Sequence, residues 1–202
     1  MSAKGDLTHR RLLAAGLNAV SVGGLANVTL GTLATAAGLS KGGLFAHFTS
    51  KEDLQLQLLD EMARIAEANV ARPAMKAPPG LPRLQAFFER WLGWPSKAGL
   101  RGGCPITAAI FELDDTSGPL RDHLIELEEG WRNVLASLVT EAVKAGHFSR
   151  KVDVQQFVWE MIGIYLAYHV SSRLVRDSSS RQRALKAFAA LLTRAGAPGG
   201  AR

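Results

Sequence analysis

The chain has 202 residues, of which 47% are hydrophobic, and its formal net charge is +6. The hydrophobic fraction excludes a disordered chain, and the single cysteine, Cys104, excludes an intrachain disulfide. The richest apolar stretch, residues 157–170, is too short to cross a bilayer and contains Glu160, and no secretory signal is visible. We therefore expect a cytoplasmic protein that has no membrane partner.

Basic residues are concentrated near the N-terminus. Residues 1–51 contain five Lys or Arg side chains and one Asp, which gives this quarter of the chain a net charge of +4 out of +6. Such a concentration is expected of a protein that binds nucleic acid. A solvated basic face would give the same count, so the charge indicates a function only together with a motif.

The first third of the chain predicts three helices, and the last two have the spacing of a helix-turn-helix. The first helix carries an apolar stripe and ends at the glycine pair 23–24. In the stretch 29–48, TLGTLATAAGLSKGGLFAHF, Thr29 and Ser40 are suitable N-caps for two short helices. Gly38 stands where the first of these must stop, because glycine adopts a left-handed conformation without steric cost. The pattern predicts a DNA-reading motif.

The stretch from about Thr8 to Met62 resembles the DNA-binding domain of tetracycline-repressor-like (TetR-family) transcription regulators. The residues that carry the resemblance are Thr29, Leu33, Ala34, Ala37, Gly38, Leu39, Ser40, Lys41, Gly42, His47, Phe48, Ser50, Lys51 and Glu52. Gly31, Gly43 and Phe45 stand where the family commonly has arginine, threonine and tyrosine. Each departure removes a donor that often contacts DNA in such proteins.

Helical periodicity predicts six further helices downstream. They cover about residues 50–73, 82–95, 105–113, 119–145, 154–175 and 180–195. No strand pattern of useful length is present, so we predict an all-α protein of about nine helices. Residues 1–52 are expected to form a three-helix helix-turn-helix DNA-binding domain. Residues 53–202 are expected to form a helical effector-binding and dimerisation domain.

The outward side of the motif supplies the candidate DNA contacts. Lys41 would donate to a guanine edge or to a phosphate, hydroxyl groups would bind phosphates, and adjacent glycines would let the backbone approach. For His47 the resemblance implies a phosphate contact, and a half-buried helix histidine is the alternative. The candidate DNA-binding residues are Arg10, Thr29, Thr32, Ser40, Lys41, Gly42, Gly43, Phe45, His47 and Lys51.

The helix predicted at 154–175 is apolar nearly all round, so it must be covered on two sides. One side can face its own chain, and the other needs a second subunit. The resemblance implies that the last two helices of each subunit form a four-helix dimer interface. The candidate interface residues are Trp159, Ile162, Leu166, Val170, Leu185, Phe188 and Leu192.

Several aromatic residues fall on helices that would enclose the centre of the second domain. They would line a cavity for a small molecule, which the resemblance favours, or they would form plain core. The candidate pocket residues are Phe87, Phe88, Trp91, Trp94, Phe111, Trp131, Tyr165 and His169. Neither the effector nor the operator can be read from the sequence.

The sequence does not favour an enzyme. Glu112, Asp114 and Asp115 form an acidic cluster that reads as a solvated loop, and no nucleophile elbow, metal-ligand spacing or phosphate-binding loop is present. We expect no catalytic residue, no metal site and no cofactor. The resemblance implies a homodimeric repressor that binds double-stranded DNA at a palindromic operator and is released by a small apolar or aromatic effector. The alternative is a helical protein-interaction or ligand-binding module without DNA binding.

Overall fold

The structure, a computed structural model, describes residues 3–196, and it describes their side chains except those of residues 3, 4 and 41. Within this range the chain is helical and contains no strand, which confirms the predicted all-α class. The α-helices are α1 (Ala3–Gly23), α2 (Leu30–Ala37), α3 (Lys41–Phe45), α4 (Lys51–Ala66), α5 (Arg72–Ala74), α6 (Leu81–Trp91), α7 (Trp94–Lys97), α8 (Pro105–Leu113), α9 (Pro119–Lys144), α10 (Val154–Arg173) and α11 (Ser180–Arg194).

The helix predicted over residues 50–73 is interrupted. A π-helical turn, Glu67–Ala71, separates α4 from the short α5. Pro73 has no N–H to donate to the carbonyl four residues earlier, and a π turn lets a later N–H serve that carbonyl. Pro95 is also placed differently from the prediction, because it lies inside α7 rather than at the end of the preceding helix.

The described chain divides into two compact units. Unit 1 contains the residues up to Ala66 together with Pro95–Leu127, and unit 2 contains Glu67–Trp94 together with the residues from Glu128 onward. These units do not coincide with the expected functional division at residue 52. The segment 95–127 folds with the N-terminal helices. Unit 1 therefore combines α1 and the helix-turn-helix, α2 and α3 (the reading motif), with α4, α7, α8 and the first part of α9.

Unit 1 has a helical core built on α1 and α4. The predicted stripe of α1 is buried at Leu17 and Val20, and α4 buries Leu54, Leu58 and Met62. The two helices approach closely at Gly16, where an added Cβ would lie 2.8 Å from Cδ2 of Leu58. This packing provides the base on which α2 and α3 are held.

The loop before α8 is bonded to the C-terminal end of α1. The N–H of Gly103 donates to the carbonyl of Ser21 at 2.9 Å, and the N–H of Gly102 donates to the Ser21 hydroxyl at 3.1 Å. The N–H of Arg101 donates to Oδ1 of Asn18 at 3.2 Å. A Cβ on Gly102 would lie 1.7 Å from the Ser21 carbonyl oxygen. Only glycine permits so close a backbone contact. The contact attaches the loop to α1, which explains why the loop belongs to unit 1.

Unit 2 is held by long-range polar contacts around an apolar core. The guanidinium of Arg83 on α6 contacts the carboxylate of Glu141 on α9, with an N–O distance of 3.0 Å. Nδ1 of His147 accepts the N–H of Leu81 at 3.2 Å, which caps the start of α6. The Arg181 guanidinium on α11 donates to the Leu92 carbonyl at 3.1 Å. In the described part of the chain, no helix has the length and apolarity that spanning a membrane requires.

Substitution of Gly102 by alanine is expected to destabilise unit 1 by about 1–3 kcal/mol, because the new methyl group would overlap the Ser21 carbonyl. Gly23→Ala is the matched control, since an added Cβ at Gly23 meets no atom within 4 Å. Urea denaturation of the two variants and the wild type measures the difference. Equal midpoints for the two variants would show that the loop does not need its contact with α1.

Candidate nucleic-acid interface

The helix-turn-helix begins with a reciprocal cap at the start of α2. The Thr29 hydroxyl oxygen accepts the N–H of Thr32 at 3.1 Å, and the Thr32 hydroxyl oxygen accepts the N–H of Thr29 at 2.9 Å. The Thr32 hydroxyl in turn donates to the Thr29 carbonyl at 3.0 Å. Both predicted phosphate-binding hydroxyls are therefore engaged in the cap, which fixes where α2 starts.

The turn between α2 and α3 has the geometry that the sequence predicts. Gly38 adopts φ +66°, and the N–H of Leu39 donates to the carbonyl of Ala34 at 3.0 Å. The Ser40 hydroxyl accepts the N–H of Gly43 at 3.1 Å and caps α3. A hydroxyl that accepts one bond still has its proton to donate, so Ser40 keeps a donor for a phosphate.

The short helix α3 buries one face and exposes the other. Leu44 and the following Phe48 are fully buried, as their spacing predicts. Gly42 is exposed, Gly43 is half-buried, and the ring of Phe45 is 55% exposed. The Lys41 side chain lies outside the described residues, so its predicted base contact stays a prediction. The face of α3 that is not buried therefore carries two glycines and an aromatic ring.

His47 is half-buried, and its Nδ1 is a buried atom without a hydrogen-bond partner. Its ring lies 5.5 Å, centroid to centroid, from that of His9 on α1, and the His9 ring lies 5.1 Å from Phe48. The Nδ1 of His9 is also buried and unpartnered. This packing fixes the His47 ring, so any phosphate bond would come from its Nε2.

Two predicted cations in this region differ in their surroundings. Arg10 is exposed on α1 and remains a candidate phosphate contact. Lys51 at the start of α4 donates from Nζ to the Ala26 carbonyl at 3.1 Å. An ammonium has three donors, so Lys51 can still contact DNA, but its first role in the structure is to hold the turn between α1 and α2.

Asp53 stabilises the start of α4. Its Oδ2 accepts the N–H of Thr49 at 2.7 Å and its Oδ1 accepts the amide of Gln57 at 2.9 Å. The Gln57 amide, followed by the Thr49 N–H, lowers the pKa of the Asp53 carboxyl. The charge remains near the reading motif because both bonds favour the ionised form.

In unit 2 the predicted pocket aromatics pack against one another. The rings of Trp91 and Tyr165 stack with centroids 4.2 Å apart, Phe87 lies 5.2 Å from Trp131, and Phe88 lies 4.0 Å from Phe188. Phe87, Phe88, Trp91, Trp94 and Tyr165 are all buried. Direct ring contact of this kind is the plain-core arrangement that was the alternative to a cavity.

Phe111 does not belong to this aromatic group. It lies on α8 in unit 1, and its side chain is 58% exposed. Its assignment to the pocket is therefore corrected: it was predicted only because it lies on a helix expected to enclose the centre, but the buried positions of α8 are others, such as Thr107 and Ala109.

The predicted interface residues fall into two groups. Trp159 and Val170 on α10 are 66% and 43% exposed, and Ile162, Leu166 and Leu185 are half-buried. Phe188 and Leu192 on α11 are only 4% and 8% exposed within one chain, so the structure contradicts their assignment to the dimer interface. They face the core of unit 2, where Phe188 stacks on Phe88.

A sequence model described as "Bacterial regulatory proteins, tetR family" matches residues 12–58, and one described as "Tetracyclin repressor-like, C-terminal domain" matches residues 80–188. The second match alone spans more than half of the chain. The chain belongs to the TetR family. It is therefore a DNA-binding transcriptional regulator, which favours that prediction over a helical module without DNA binding.

Several TetR-family proteins are similar over most of their length. Transcriptional regulator AcuR of Cereibacter sphaeroides is 28% identical over 152 residues, which are 73% of this chain and 68% of that protein. A TetR transcriptional regulator from Chloroflexus aurantiacus is 26% identical, with a TM-score of 0.84 and coverage of 95% of this chain and 96% of that chain. A TetR-family regulator from Cytophaga hutchinsonii is 20% identical, with a TM-score of 0.85 and coverage of 96% and 98%, and supports the fold alone.

The sequence does not reveal three residues of this TetR-family regulator that support the reading motif. Gln55 is a buried polar residue on α4 that bonds the Leu25 carbonyl at 2.9 Å, and His9 packs beside His47. Glu112 is not part of a solvated loop, because it lies on α8 and accepts the N–H groups of Leu25 and Ala26. Because Glu112 is closely followed by two further acidic residues, the sequence suggested an exposed acidic loop. No local sequence pattern predicts a hydrogen bond between residues 87 positions apart.

Burial shifts the pKa of two groups of unit 2, Glu128 and His169. Burial raises the pKa of the Glu128 carboxyl on α9, and Arg132 partly opposes the shift. Burial, followed by the positive charge of Arg173, lowers the pKa of His169 on α10. An open pocket of about 480 Å³ lies at the end of α9 and is lined by Val143, Lys144, Gly146, Phe148 and Arg150, which include none of the predicted pocket aromatics.

The lowered pKa of His169 predicts an acid-sensitive stability. As pH falls through the ordinary histidine pKa near ~6.5, the unfolded chain takes up a proton that the folded chain resists, so the free energy of unfolding decreases. Because His169 is only half-buried, the loss should stay well below ~1.4 kcal/mol per pH unit, the limit for one proton.

His169→Asn should lose less stability than the wild type between pH 7.5 and 5.5, as measured by urea denaturation at one fixed protein concentration. Groups that the two proteins share cancel in this comparison. An equal loss in the two proteins would assign the acid sensitivity to other groups.

Proposed function

We propose that this regulator is a homodimeric repressor whose two reading heads bind a palindromic operator and are released by a small apolar or aromatic effector. The observation that carries the proposal is the capped α2–α3 pair. Its outer face presents Gly42, Gly43 and the exposed ring of Phe45, and residues 1–51 carry most of the net positive charge. A helix-turn-helix of this form enters the major groove with its second helix.

The chemistry of that face favours backbone and phosphate contacts with few direct base contacts. Gly31, Gly43 and Phe45 supply no side-chain donor, so Lys41, Ser40 and the main-chain N–H groups would provide the polar contacts. A single head with few donors would bind weakly, and two heads on a two-fold axis would read half-sites about one helical turn apart or a multiple of that.

The exposed part of α10 supports a homodimer. Trp159 and Val170 lie on this helix, and Leu174 and Val175 continue the apolar surface beyond it. Large apolar side chains exposed along one helix and its end are a common mark of a protein interface. The revised candidate interface keeps α10 and Leu185 on α11, and it omits Phe188 and Leu192.

We place the proposed effector site in unit 2, at the aromatic group. Its rings pack directly against one another in the structure, so an effector would have to separate them to bind. Trp131 and His169 are half-buried, and the Glu128 carboxyl has a raised pKa from burial, so these three are the candidate polar and aromatic ends of such a site. The family resemblance implies that effector binding changes the separation of the reading heads, which requires the effector to prefer one separation.

Sequencing of genomic fragments retained by the purified protein tests the function. Enrichment of fragments that share an inverted repeat supports a palindromic operator, and no enrichment over background contradicts specific binding.

On the enriched duplex, Lys41→Ala is expected to make the binding free energy less favourable by about 1–3 kcal/mol if the ammonium contacts a base. If the ammonium contacts a phosphate instead, the magnitude of the slope of log affinity against log salt concentration should decrease by about 1. Lys186→Ala removes the same charge from an exposed site on α11 and is the control. Fluorescence anisotropy titrations at several salt concentrations measure both effects. Equal affinity and salt slope for the two variants would remove Lys41 from the interface.

Trp159→Asp should convert a micromolar dimer to a monomer without unfolding unit 2, because the indole is largely exposed within one chain and the carboxylate would be buried in a dimer. Met75→Asp changes another exposed apolar residue of unit 2 away from α10 and α11, and it should leave the dimer intact. Sedimentation velocity measures the two masses. A monomeric wild type, or a dimeric Trp159→Asp variant, would contradict this interface.

A further inference from the structure

We propose that Glu112 on α8 is a positioning residue for DNA recognition, because it holds the turn from which the helix-turn-helix begins. The inference rests on the proposed function and deepens it, since it assigns a means of regulating the same DNA-binding site. Glu112 would act through the main chain of unit 1 and would not touch DNA.

The carboxylate of Glu112 binds two consecutive peptide groups between α1 and α2. Its Oε1 accepts the N–H of Leu25 at 2.9 Å, and its Oε2 accepts the N–H of Ala26 at 2.8 Å. Bonds from main-chain N–H groups to an ionised carboxylate are about twice as strong as neutral ones. A pair of them fixes both the position and the orientation of the turn.

The same two residues are bonded from the other side by α4. The buried Gln55 amide donates to the Leu25 carbonyl at 2.9 Å, and the Lys51 ammonium donates to the Ala26 carbonyl at 3.1 Å. We call Glu112, Gln55 and Lys51 the turn clamp. It joins α8 and α4 through the N–H and carbonyl groups of one dipeptide.

The clamped dipeptide is connected directly to the start of α2. The N–H of Val28 donates to the Leu25 carbonyl at 3.1 Å, and the Thr32 hydroxyl lies 3.4 Å from the Asn27 carbonyl. The reciprocal Thr29–Thr32 cap follows at once. A shift of the dipeptide would therefore shift the first turn of α2, which is packed on α3.

The chain leaves space for the carboxylate by having glycine next to it. Gly24 has φ +85°, and an added Cβ there would lie 2.2 Å from Oε1 of Glu112. At the neighbouring Gly23 an added Cβ would meet nothing within 4 Å. Alanine at position 24 would thus displace Glu112 and would also strain the positive φ, whereas alanine at position 23 would not displace the carboxylate.

These contacts give α8 control over the reading motif. If α8 moves, the turn clamp either carries the Leu25–Ala26 dipeptide with it or opens, and each outcome changes the placement of α2. Coupling between two binding events is reciprocal, so DNA that favours the clamped turn must also stabilise the clamp.

The first test compares Glu112→Gln with Asp115→Asn. Each removes one negative charge, but Asp115 is exposed in the loop after α8. Loss of a carboxylate raises affinity for any duplex electrostatically, so the informative quantity is the ratio of affinities for the enriched genomic duplex and a scrambled duplex of equal length. We expect Glu112→Gln to lower this ratio by roughly 3- to 30-fold and Asp115→Asn to leave it unchanged. Equal ratios at equal melting temperature would overturn the proposal.

A second pair of variants covers the case in which Glu112→Gln does not fold. Gly24→Ala should lower the same ratio relative to Gly99→Ala. Both glycines of unit 1 have a positive φ, +85° and +78°, that alanine strains, but only at position 24 does the added Cβ displace the carboxylate, since at position 99 it meets nothing within 4 Å. The same ratio for both folded variants would overturn the proposal.

A measurement on the wild-type protein requires no variant. Addition of the enriched duplex should slow hydrogen exchange at the Leu25 and Ala26 amides, and the scrambled duplex should slow it less. Unchanged exchange at both amides would overturn the proposal. If the wild type enriches no genomic fragment, the proposed function itself fails. If the wild type binds specifically but the Glu112→Gln and Gly24→Ala variants keep its ratio of affinities, only the role of the turn clamp is refuted.

Discussion

The two hydrogen bonds between Glu112 and the Leu25–Ala26 dipeptide attach the start of the helix-turn-helix, α2 and α3, to the rest of unit 1. His123 on α9 also contacts Asp60 on α4, with 2.7 Å between Nε2 and Oδ1, and α8 packs on α1 and α4. A second main-chain connection joins residues 101–103 to the end of α1. Both connections use main-chain groups, and both depend on a glycine that leaves room for the partner. Main-chain contacts of this kind fix geometry more closely than apolar packing, because they require particular distances and directions.

The motif itself could be predicted from sequence because its determinants are local. Thr29, Ser40 and Gly38 act within three or four residues of themselves, and each adopts the cap or left-handed geometry that its side chain favours. The apolar face of α3 follows from a spacing of four between Leu44 and Phe48. The order of the nine predicted helices follows for the same reason, whereas the π-helical turn Glu67–Ala71 and the short α7 were not predicted.

Contacts between distant parts of the chain could not be predicted in this way. The Glu112 carboxylate stands among acidic neighbours that suggest a solvated loop, and its partners lie 87 and 86 positions away. Periodicity identified Phe188, Leu192 and Phe111 as apolar positions on helices, but it cannot say whether the covering element comes from the same chain, from another subunit or from nowhere. The structure places the first two in a core and leaves Phe111 largely exposed.

The residue immediately before α8 gives this helix a weak N-cap. Cys104 occupies the N-cap, where its Sγ receives the N–H of buried Thr107 at 3.5 Å, and sulfur is a weak acceptor compared with the oxygen of serine or aspartate. Pro105 at the first helical position removes one donor, but it does not strengthen the bond that remains. Cys104 and Thr107 are nevertheless only 4% and 3% exposed, and the loop just before them is bonded to α1. This end of α8 is therefore held by burial and by its neighbours more than by its own cap, so loosening of that loop would leave the helix with little local means of keeping its first turn.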